Sequence, residues 1–179
     1  ALIDDLLAFS RTSRVSLDKR RVDLDRLVRD VQQEVAAQAP GRRIEWRIGA
    51  HLPEVTADPS LFRQVLVNLL SNAVKYTAPR PVAEIEVDVT GPDGGEVTLL
   101  VRDNGVGFDM QYVGKLFGVF QRLHRSEDFE GTGIGLANVR RIVERHGGRA
   151  WAEGVEGRGA TFYVSMPAGP DVAPPSRSG

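Results

Sequence analysis

Apolar residues recur at three- and four-residue spacing in four segments of the chain, which is the pattern of amphipathic helices. The spacing predicts helices over residues 1–13, from 25 to about 40, from 59 to about 76, and from 135 to 146. Asp25 and Asp58 are the expected caps of the second and third helices, and Pro59 suits the first position of the third. The third helix is the longest of the four.

Alternating apolar and polar residues predict the strands. The alternating segments are residues 20–24, 42–48, 83–89, 96–101, 149–153 and 160–165. A turn at residues 91–95, rich in Gly, Pro and Asp, makes the third and fourth of these strands a hairpin. We expect an α+β fold, a two-layer sandwich in which three helices cover one face of a mixed sheet of about five strands.

Composition narrows the possible classes of protein. The 179 residues carry a formal net charge of -1 and include no cysteine, so neither a basic field for nucleic acid nor a disulfide framework is expected. No apolar run has the roughly 18 residues of a membrane span, and the chain starts without Met. We expect a cytoplasmic piece of a longer protein, with no membrane contact, and a disordered Pro/Ser/Gly-rich tail over residues 167–179.

The third helix carries an unusual polar stripe. At 100° per residue Asn68, Asn72 and Lys75 fall within a narrow arc, opposite the apolar residues of the same helix. Asparagine is a poor residue for a helix interior, whereas its amide can bind Mg²⁺ or phosphate. A ligand-binding face is therefore favoured, and a solvated or hydrogen-bonded face remains the alternative.

Two glycine-rich segments follow. Asp103 to Phe108, sequence DNGVGF, comes directly after a strand, so Asp103 could accept a hydrogen bond from an amine such as that of adenine; a tight turn explains the segment equally well. Gly131 to Leu136, sequence GTGIGL, runs into a helix whose first N–H groups form an anion site. The P-loop pattern is absent, and a dinucleotide fingerprint fails at Leu136.

Two weaker motifs complete the set. Gly157 and Gly159 precede Thr161 and could bring a hydroxyl under a base, or could simply form a hairpin turn. Phe117 and Phe120 form a small apolar group, for which core packing is the simplest interpretation.

Taken together and in this order, the motifs resemble the catalytic domain of sensor histidine kinases, within the gyrase, heat-shock-protein-90 and mismatch-repair ATPase superfamily. The resemblance covers residues 20–166, and residues 120–125 and 142–148 are most similar to phytochrome-type kinases. The matching segments are 68–76 for the N box, 103–107 for the G1 box, 117–120 for the F box, 131–135 for the G2 box and 157–162 for the last glycine box.

The resemblance implies a Bergerat fold that binds ATP and Mg²⁺. Residues 1–17 would be the end of a phosphoacceptor hairpin helix, residues 18–166 the ATP-binding domain, and 167–179 the tail. Asn72 would ligate Mg²⁺ beside Asn68, while Lys75 and Arg122 would contact the phosphates. The other implied contacts are Asp103 to the adenine amine, Thr161 to the base, Tyr76, Phe117, Phe120 and Leu136 around the nucleotide, and Gly105, Gly107, Gly131, Gly133 and Gly135 in the binding loops.

The resemblance also bears on the reaction. Related ATPases place a water-activating Glu where this chain has Asn68, and an amide cannot act as that base. The implied chemistry is transfer of the γ-phosphate to a protein histidine, with Asn68, Lys75 and Arg122 as catalytic residues. The acceptor histidine motif is absent, so this chain alone is expected to bind Mg-ATP without phosphorylating itself.

The implied partners are a phosphoacceptor hairpin, acting in cis or in trans, and a response regulator, with dimerisation of the full-length protein. Two other functions remain open: an ATPase-type conformational switch, and a nucleotide-binding module without turnover.

Overall fold

The computed structural model describes residues 2–124, 129 and 131–168. Its helices are α1 (Leu2–Thr12), α2 (Leu24–Ala37), α3 (Pro59–Tyr76) and α4 (Gly135–Arg145), with a 3₁₀ helix at Met110–Lys115. Its strands are β1 (Arg20–Asp23), β2 (Ile44–Ile48), β3 (Glu54–Ala57), β4 (Ala83–Asp93), β5 (Glu96–Asp103), β6 (Arg149–Val155) and β7 (Gly159–Pro167).

Five strands form the main sheet in the order β2-β4-β5-β7-β6. The β2–β4 pair is parallel and the other three pairs are antiparallel, which makes the sheet mixed. Strands β1 and β3 form a separate antiparallel pair. The predicted α+β sandwich with a mixed five-stranded sheet is therefore confirmed.

One face of the main sheet is covered by α2, α3 and α4. Their buried residues join the inward side chains of the strands in a single apolar core that includes Val28, Phe62, Leu66, Val101 and Ile142. The other face is polar, and across it Arg102 of β5 pairs with Glu86 of β4.

Several predicted boundaries differ from the observed ones. The cap of α2 is Asp23, whose carboxylate accepts a hydrogen bond from the Arg26 N–H at 3.2 Å; Asp25 lies in the first turn and pairs with Arg29. Strand β3 was not predicted, because Pro53 and a four-residue length give little periodicity.

The region predicted as a tail begins in ordered structure. Pro167 is the last residue of β7, and Ala168 forms an isolated bridge with Val55 of β3. Residues 169–179 lie outside the described part. Within the described residues, no helix combines the length and hydrophobicity needed to cross a bilayer.

The N-terminus of α3 is fixed by a buried histidine at the end of α4. The Asp58 N–H donates to Nε2 of His146 at 3.0 Å, and the other ring nitrogen of His146 lies 2.7 Å from the Ile142 carbonyl oxygen. Asp58 itself caps α3 by accepting from the N–H groups of Ser60 and Leu61. With Nε2 as the acceptor, His146 has to be neutral.

Burial lowers the pKa of His146, and the nearby Lys19 and Arg145 lower it further against the opposing effects of the Ile142 carbonyl and Asp58. Burial alone would raise the pKa of Asp58, but hydrogen bonds from Asp18, Leu61 and Ser60 outweigh it and lower that pKa. The junction therefore needs a neutral imidazole beside an ionised carboxylate.

We predict that stability conferred by His146 is fully present above the pKa of an unfolded histidine, about 6.5, and is lost as the pH falls below it. Below that pH the unfolded chain binds a proton on His146 that the folded chain excludes, so the free energy of unfolding falls as the pH falls. Urea unfolding at several pH values, compared with His146→Gln, isolates this contribution, since Gln can accept from Asp58 without titrating. His146→Leu leaves a buried N–H without an acceptor and should cost about 1–3 kcal/mol; equal pH profiles for the wild type and His146→Gln would contradict the assignment.

Candidate functional site: a cleft between two helices

The polar stripe of α3 faces a cleft, as predicted. Asn68, Asn72 and Lys75 all line a cavity of about 420 Å³, whereas the opposite side of the helix, with Leu66 and Leu70, is fully buried. The stripe therefore forms one wall of a concave site, which favours a ligand-binding face over a purely solvated one.

The opposite wall comes from the second glycine-rich segment and the start of α4. The cavity is lined there by Gly131, Thr132, Gly133, Ile134, Gly135, Leu136 and Asn138. A Cβ placed on Gly131 would lie 3.0 Å from Nζ of Lys75, and one on Gly135 would lie 3.3 Å from Oδ1 of Asn68. Glycine at both positions lets this loop approach the polar side chains of α3.

Helix α4 begins without a side-chain cap. Its N-cap residue is Ile134, which makes no capping hydrogen bond. The first-turn N–H groups therefore have no intrahelical partner, and they carry the positive end of the helix dipole. An anion in the cleft would accept hydrogen bonds from these N–H groups and would be attracted by the helix dipole.

Two cationic side chains, Lys75 and Arg122, line the same cleft. Burial lowers the pKa of the Lys75 ammonium, and the Arg122 guanidinium lowers it further. Lys75 also lies 4.8 Å from the centre of the Tyr76 ring. Within the described residues neither Lys75 nor Arg122 forms a salt bridge with a carboxylate, so a negatively charged ligand would relieve their repulsion.

The buried carboxylate of Asp103 lines a second, smaller pocket of about 50 Å³. The two cavities adjoin, because both are lined by Tyr76, Leu116, Gln121, Arg122 and Leu136. Burial raises the pKa of Asp103 to about 6, against the opposing effect of the N–H groups of Gly105 and Ala160. The site therefore has an anion-binding end and an acceptor-bearing apolar end.

The wall of the Asp103 pocket includes residues 121–124. His124 packs against Tyr76 and Phe129, with ring centroids 5.2 and 5.4 Å away. A cavity of this size holds a few water molecules.

The two glycines after Asp103 serve backbone packing. Gly107 has φ +62° and lines the Asp103 pocket, and a Cβ there would lie 2.0 Å from the Val155 carbonyl oxygen. A Cβ on Gly105 would lie 2.4 Å from the Tyr76 carbonyl oxygen. Gly105 lines neither cavity and its close approach is to the end of α3, so the structure gives it a packing role, and its contact with a cofactor stays a prediction.

The strand register determines which face of the sheet Thr161 lies on. Asp103 pairs with Ala160 in the β5–β7 register, and residues 160 and 161 point to opposite faces of the sheet. The Thr161 hydroxyl accepts from Nε of Arg102 at 3.3 Å on the polar face. Ala160 lines the pocket of about 50 Å³ with Asp103, whereas Thr161 and Asp103 both line a separate cavity of about 500 Å³, so the contact of Thr161 with a base stays a prediction.

The two phenylalanines do not form one apolar group. Phe117 is half-buried and packs edge-on to Phe162, with centroids 6.4 Å apart. Phe120 is 52% exposed with φ +60°, and its N–H donates to the Gly133 carbonyl at 3.0 Å. Neither lines the two cavities, so the expected contacts of Phe117 and Phe120 with a cofactor are not supported.

The donor set of the cleft fits a hydrated magnesium ion. The described residues contain no cluster of three His, Cys, Asp or Glu side chains that could hold a metal. The side-chain amide of Asn72 faces the cleft, and Oδ1 of the buried Asn138 has no hydrogen-bond partner among the described residues. Amide oxygens bind Mg²⁺ together with water and phosphate, and an unpartnered buried acceptor suits a water of such an ion.

The structure adds two residues that sequence reasoning missed. Asp5 of α1 lines the cleft, and its carboxylate accepts from the Thr132 hydroxyl at 2.7 Å. Asn138 donates to Gln64 of α3 at 3.4 Å. Asp5 gave no sequence signal, because its contact joins residues 127 positions apart. Asn138 had one, since it is an amide on the otherwise apolar, core-facing side of α4.

Comparison with known proteins identifies relatives. Residues 57–170 match the protein family described as "Histidine kinase-, DNA gyrase B-, and HSP90-like ATPase". The chain is similar to the methanogenesis regulatory histidine kinase FilI of Methanothrix harundinacea, with 38% identity over 166 residues, which are 93% of this chain and 18% of that protein. It is 36% identical to cyanobacterial phytochrome B of Nostoc over 92% of this chain and 22% of that protein. The chain thus spans about a fifth of the length of these curated relatives.

Solved structures show the same fold. A crystal structure of full-length ShkA in complex with AMPPNP superimposes with a TM-score of 0.78 and 31% identity, over 93% of this chain and 35% of that chain. The catalytic domain of histidine kinase ThkA, in a nucleotide-free form, gives a TM-score of 0.69 and 25% identity, over 84% of this chain and 98% of that chain.

We predict that Asp103→Asn stabilises the protein at about pH 8 by roughly 3 kcal/mol, because it removes a buried charge. The pKa of Asp103 is about 6 in the folded protein and 3.8 in the unfolded chain. Protonated Asp103 therefore stabilises the folded protein below pH 3.8, and this stabilisation is lost as the pH rises through about 6. The advantage of the variant should therefore disappear below about pH 4. Urea unfolding is the measurement, and Asp93→Asn, at an exposed position, is the control; a destabilised Asp103→Asn at pH 8 would contradict the prediction.

Proposed function

Because the chain belongs to the family of histidine kinase-, DNA gyrase B- and HSP90-like ATPases, we propose that it is the catalytic ATP-binding domain of a sensor histidine kinase. In this proposal it binds Mg-ATP and transfers the γ-phosphate to a histidine on a phosphoacceptor domain. The resemblance to histidine kinases, including phytochromes, is borne out by the relatives described above.

The observation that carries the proposal is the convergence of three groups on one cleft. The amide face of α3, the uncapped start of α4 and the pair of cations Lys75 and Arg122 meet there, and the pocket of Asp103 adjoins them. A polyanion with an apolar, amine-bearing ring at one end matches this arrangement. ATP has that shape and charge.

Each residue then has a role in holding the nucleotide. Asp103 accepts the adenine amine, with Tyr76 and Leu136 lining the passage between the two cavities. Lys75, Arg122 and the first N–H groups of α4 hold the phosphates, and Asn72, with Asn68 beside it, provides the amide oxygen for the metal. Bound Mg-ATP supplies the γ-phosphoryl group, whose negative charge these residues stabilise.

The residue types in the cleft favour transfer to a protein over hydrolysis. Asn68 stands where a water-activating carboxylate would be needed on α3, and an amide cannot accept that proton. Among the described residues, the carboxylate that lines the large cavity is Asp5, which comes from α1 and already accepts from Thr132. An ATPase-type switch is the second candidate, and Asp5 is the residue on which it would depend.

The acceptor histidine is proposed to lie on another domain. His146 is buried with both ring nitrogens engaged, His124 packs against Tyr76 and Phe129, and the exposed His51 does not line the cleft. We therefore propose a phosphoacceptor hairpin as substrate, in cis or in trans, with residues 1–17 as the end of one of its helices. A response regulator downstream, a homodimeric full-length protein and a cytoplasmic location belong to the same proposal.

The exposed apolar residues of α1 support the proposal that residues 1–17 are the end of a helix of the phosphoacceptor hairpin. Leu2, Ile3, Leu6 and Leu7 are all exposed, whereas Phe9 packs under the Arg141 guanidinium of α4 at 4.0 Å from the ring centre. One side of α1 thus contacts the domain, and its free apolar side is suited to a second helix.

We predict that the wild-type chain binds ATP with a magnesium-dependent increase in affinity, and that Asn72→Ala removes the magnesium dependence. With a purified phosphoacceptor hairpin and labelled ATP, Asn72→Ala should lower the rate of phosphohistidine formation by about 10²-fold or more, since it removes a group that positions the transferred charge. Gln33→Ala, on the exposed side of α2, is the control. Phosphate release without label on the hairpin would favour the ATPase switch, and absence of nucleotide binding would refute the proposal.

A further inference from the structure

Arg80, which follows α3 in the turn after Tyr76, contacts two loops at the apolar end of the site. Its Nε donates to the Asn104 carbonyl oxygen at 2.8 Å, and its Nη2 donates to the carbonyl oxygens of Gly105, at 3.2 Å, and Gly157. One guanidinium therefore joins the end of α3 to the loop after β5 and to the β6–β7 turn. Arg80 lines neither cavity, so it does not touch a ligand there.

The contact with Asn104 has a specific consequence for Asp103. The carbonyl of Asn104 and the N–H of Gly105 belong to the same peptide group, and that N–H donates to Oδ1 of Asp103 at 2.8 Å. Arg80 thus holds one end of a planar peptide whose other end binds the Asp103 carboxylate. A cation on the carbonyl oxygen also polarises the peptide and strengthens its N–H as a donor.

The surrounding bonds restrict the same peptide group further. The Asn104 side chain accepts from the Glu84 N–H at 2.9 Å and donates to the Val82 carbonyl at 3.1 Å. The Val106 N–H donates to the Tyr76 carbonyl at 3.1 Å, and the Gly157 N–H donates to the Val106 carbonyl at 2.8 Å. Arg80 closes this network, because it is the side chain that bonds directly to both the loop and the turn.

We propose that Arg80 is a positioning residue for base recognition, which acts through the Asn104–Gly105 peptide to fix the Asp103 carboxylate toward the exocyclic amine of an adenine nucleotide. The inference rests on the proposed function and deepens it: discrimination between purines depends on a side chain that contacts neither base nor phosphate. Without Arg80 the neighbouring bonds remain, but the Asn104 carbonyl loses its donor and the Gly105 N–H that binds the carboxylate is held less firmly, so the preference for an amine at that position declines.

Arg42 provides a matched control. Its Nη1 donates to the Val74 carbonyl at 2.9 Å and its Nη2 donates to the Thr77 hydroxyl at 3.2 Å. Like Arg80, it is a partly buried arginine beside the C-terminal end of α3, but its guanidinium bonds the helix end itself and has no hydrogen bond to residues 103–107. Loss of Arg42 therefore tests the anchoring of the helix end without the link to Asp103.

The experiment measures affinity for Mg-ATP and Mg-ITP by calorimetry, since inosine carries a carbonyl oxygen where adenosine carries the amine. For the wild type we expect tighter binding of ATP. Arg80→Ala should lower ATP affinity by about tenfold, a typical effect of losing about 1.4 kcal/mol, and should reduce the ATP-to-ITP affinity ratio by a similar factor. Arg42→Ala should lower the melting temperature and leave that ratio unchanged.

Arg80→Lys keeps the charge but not the forked geometry, and should give an intermediate ratio; it also keeps the test available if Arg80→Ala does not fold. An unchanged ratio in a folded Arg80 variant would overturn the proposal, as would an equal loss of ratio in Arg42→Ala. If the wild type binds neither nucleotide, the proposed function itself fails. That outcome is distinct from a wild type that binds ATP and an Arg80 variant that discriminates equally well.

Discussion

Helix α3 packs one side into the apolar core and presents its other side, which is polar, to the cleft. The geometry of the site depends on this arrangement. Its inner side buries Phe62, Leu66 and Leu70 completely, and each such side chain contributes about 1.5–3 kcal/mol. Its outer side presents Asn68 and Asn72, each of which costs roughly 0.5 kcal/mol relative to Ala in a helix interior. Burial outweighs this cost, so the core can hold in place a polar face that an isolated helix would not favour.

The other parts of the site are fixed to this helix at its two ends. At the N-terminus, Asp58 caps α3 and donates its N–H to His146, which ties α3 to the end of α4. At the C-terminus, Tyr76 and Arg80 bond the loops beside Asp103. The core thus sets the relative position of the cleft with Lys75 and Arg122 and the pocket of Asp103, although these come from segments far apart in the sequence.

Hydrophobic periodicity was sufficient to predict the long helices and strands. It could not predict features that depend on strand register or on contacts between residues far apart in the sequence. Asp58 and Pro59 marked the start of α3 correctly, because a cap acts through its immediate neighbours. The side of the sheet on which Thr161 lies could not be read from periodicity, since the antiparallel register of β5 and β7 pairs Asp103 with Ala160 and Arg102 with Thr161; the contact of Thr161 with a base stays a prediction. Phe120 was assigned to an apolar group, whereas its positive φ and its bond to Gly133 turn it outward. Asp5 and the buried ring of His146 could not be placed from sequence, because their partners lie 127 and 88 positions away.

The central claim is that the amide face of α3 and the carboxylate of Asp103 bind the two ends of one magnesium nucleotide. An NMR titration of isotope-labelled protein with Mg-AMPPNP tests it most directly. The account predicts that the side-chain amide signals of Asn68 and Asn72 and the backbone amide of Gly105 shift together and saturate with a single dissociation constant. Shifts confined to one end of the site, or saturation at clearly different ligand concentrations, would contradict it.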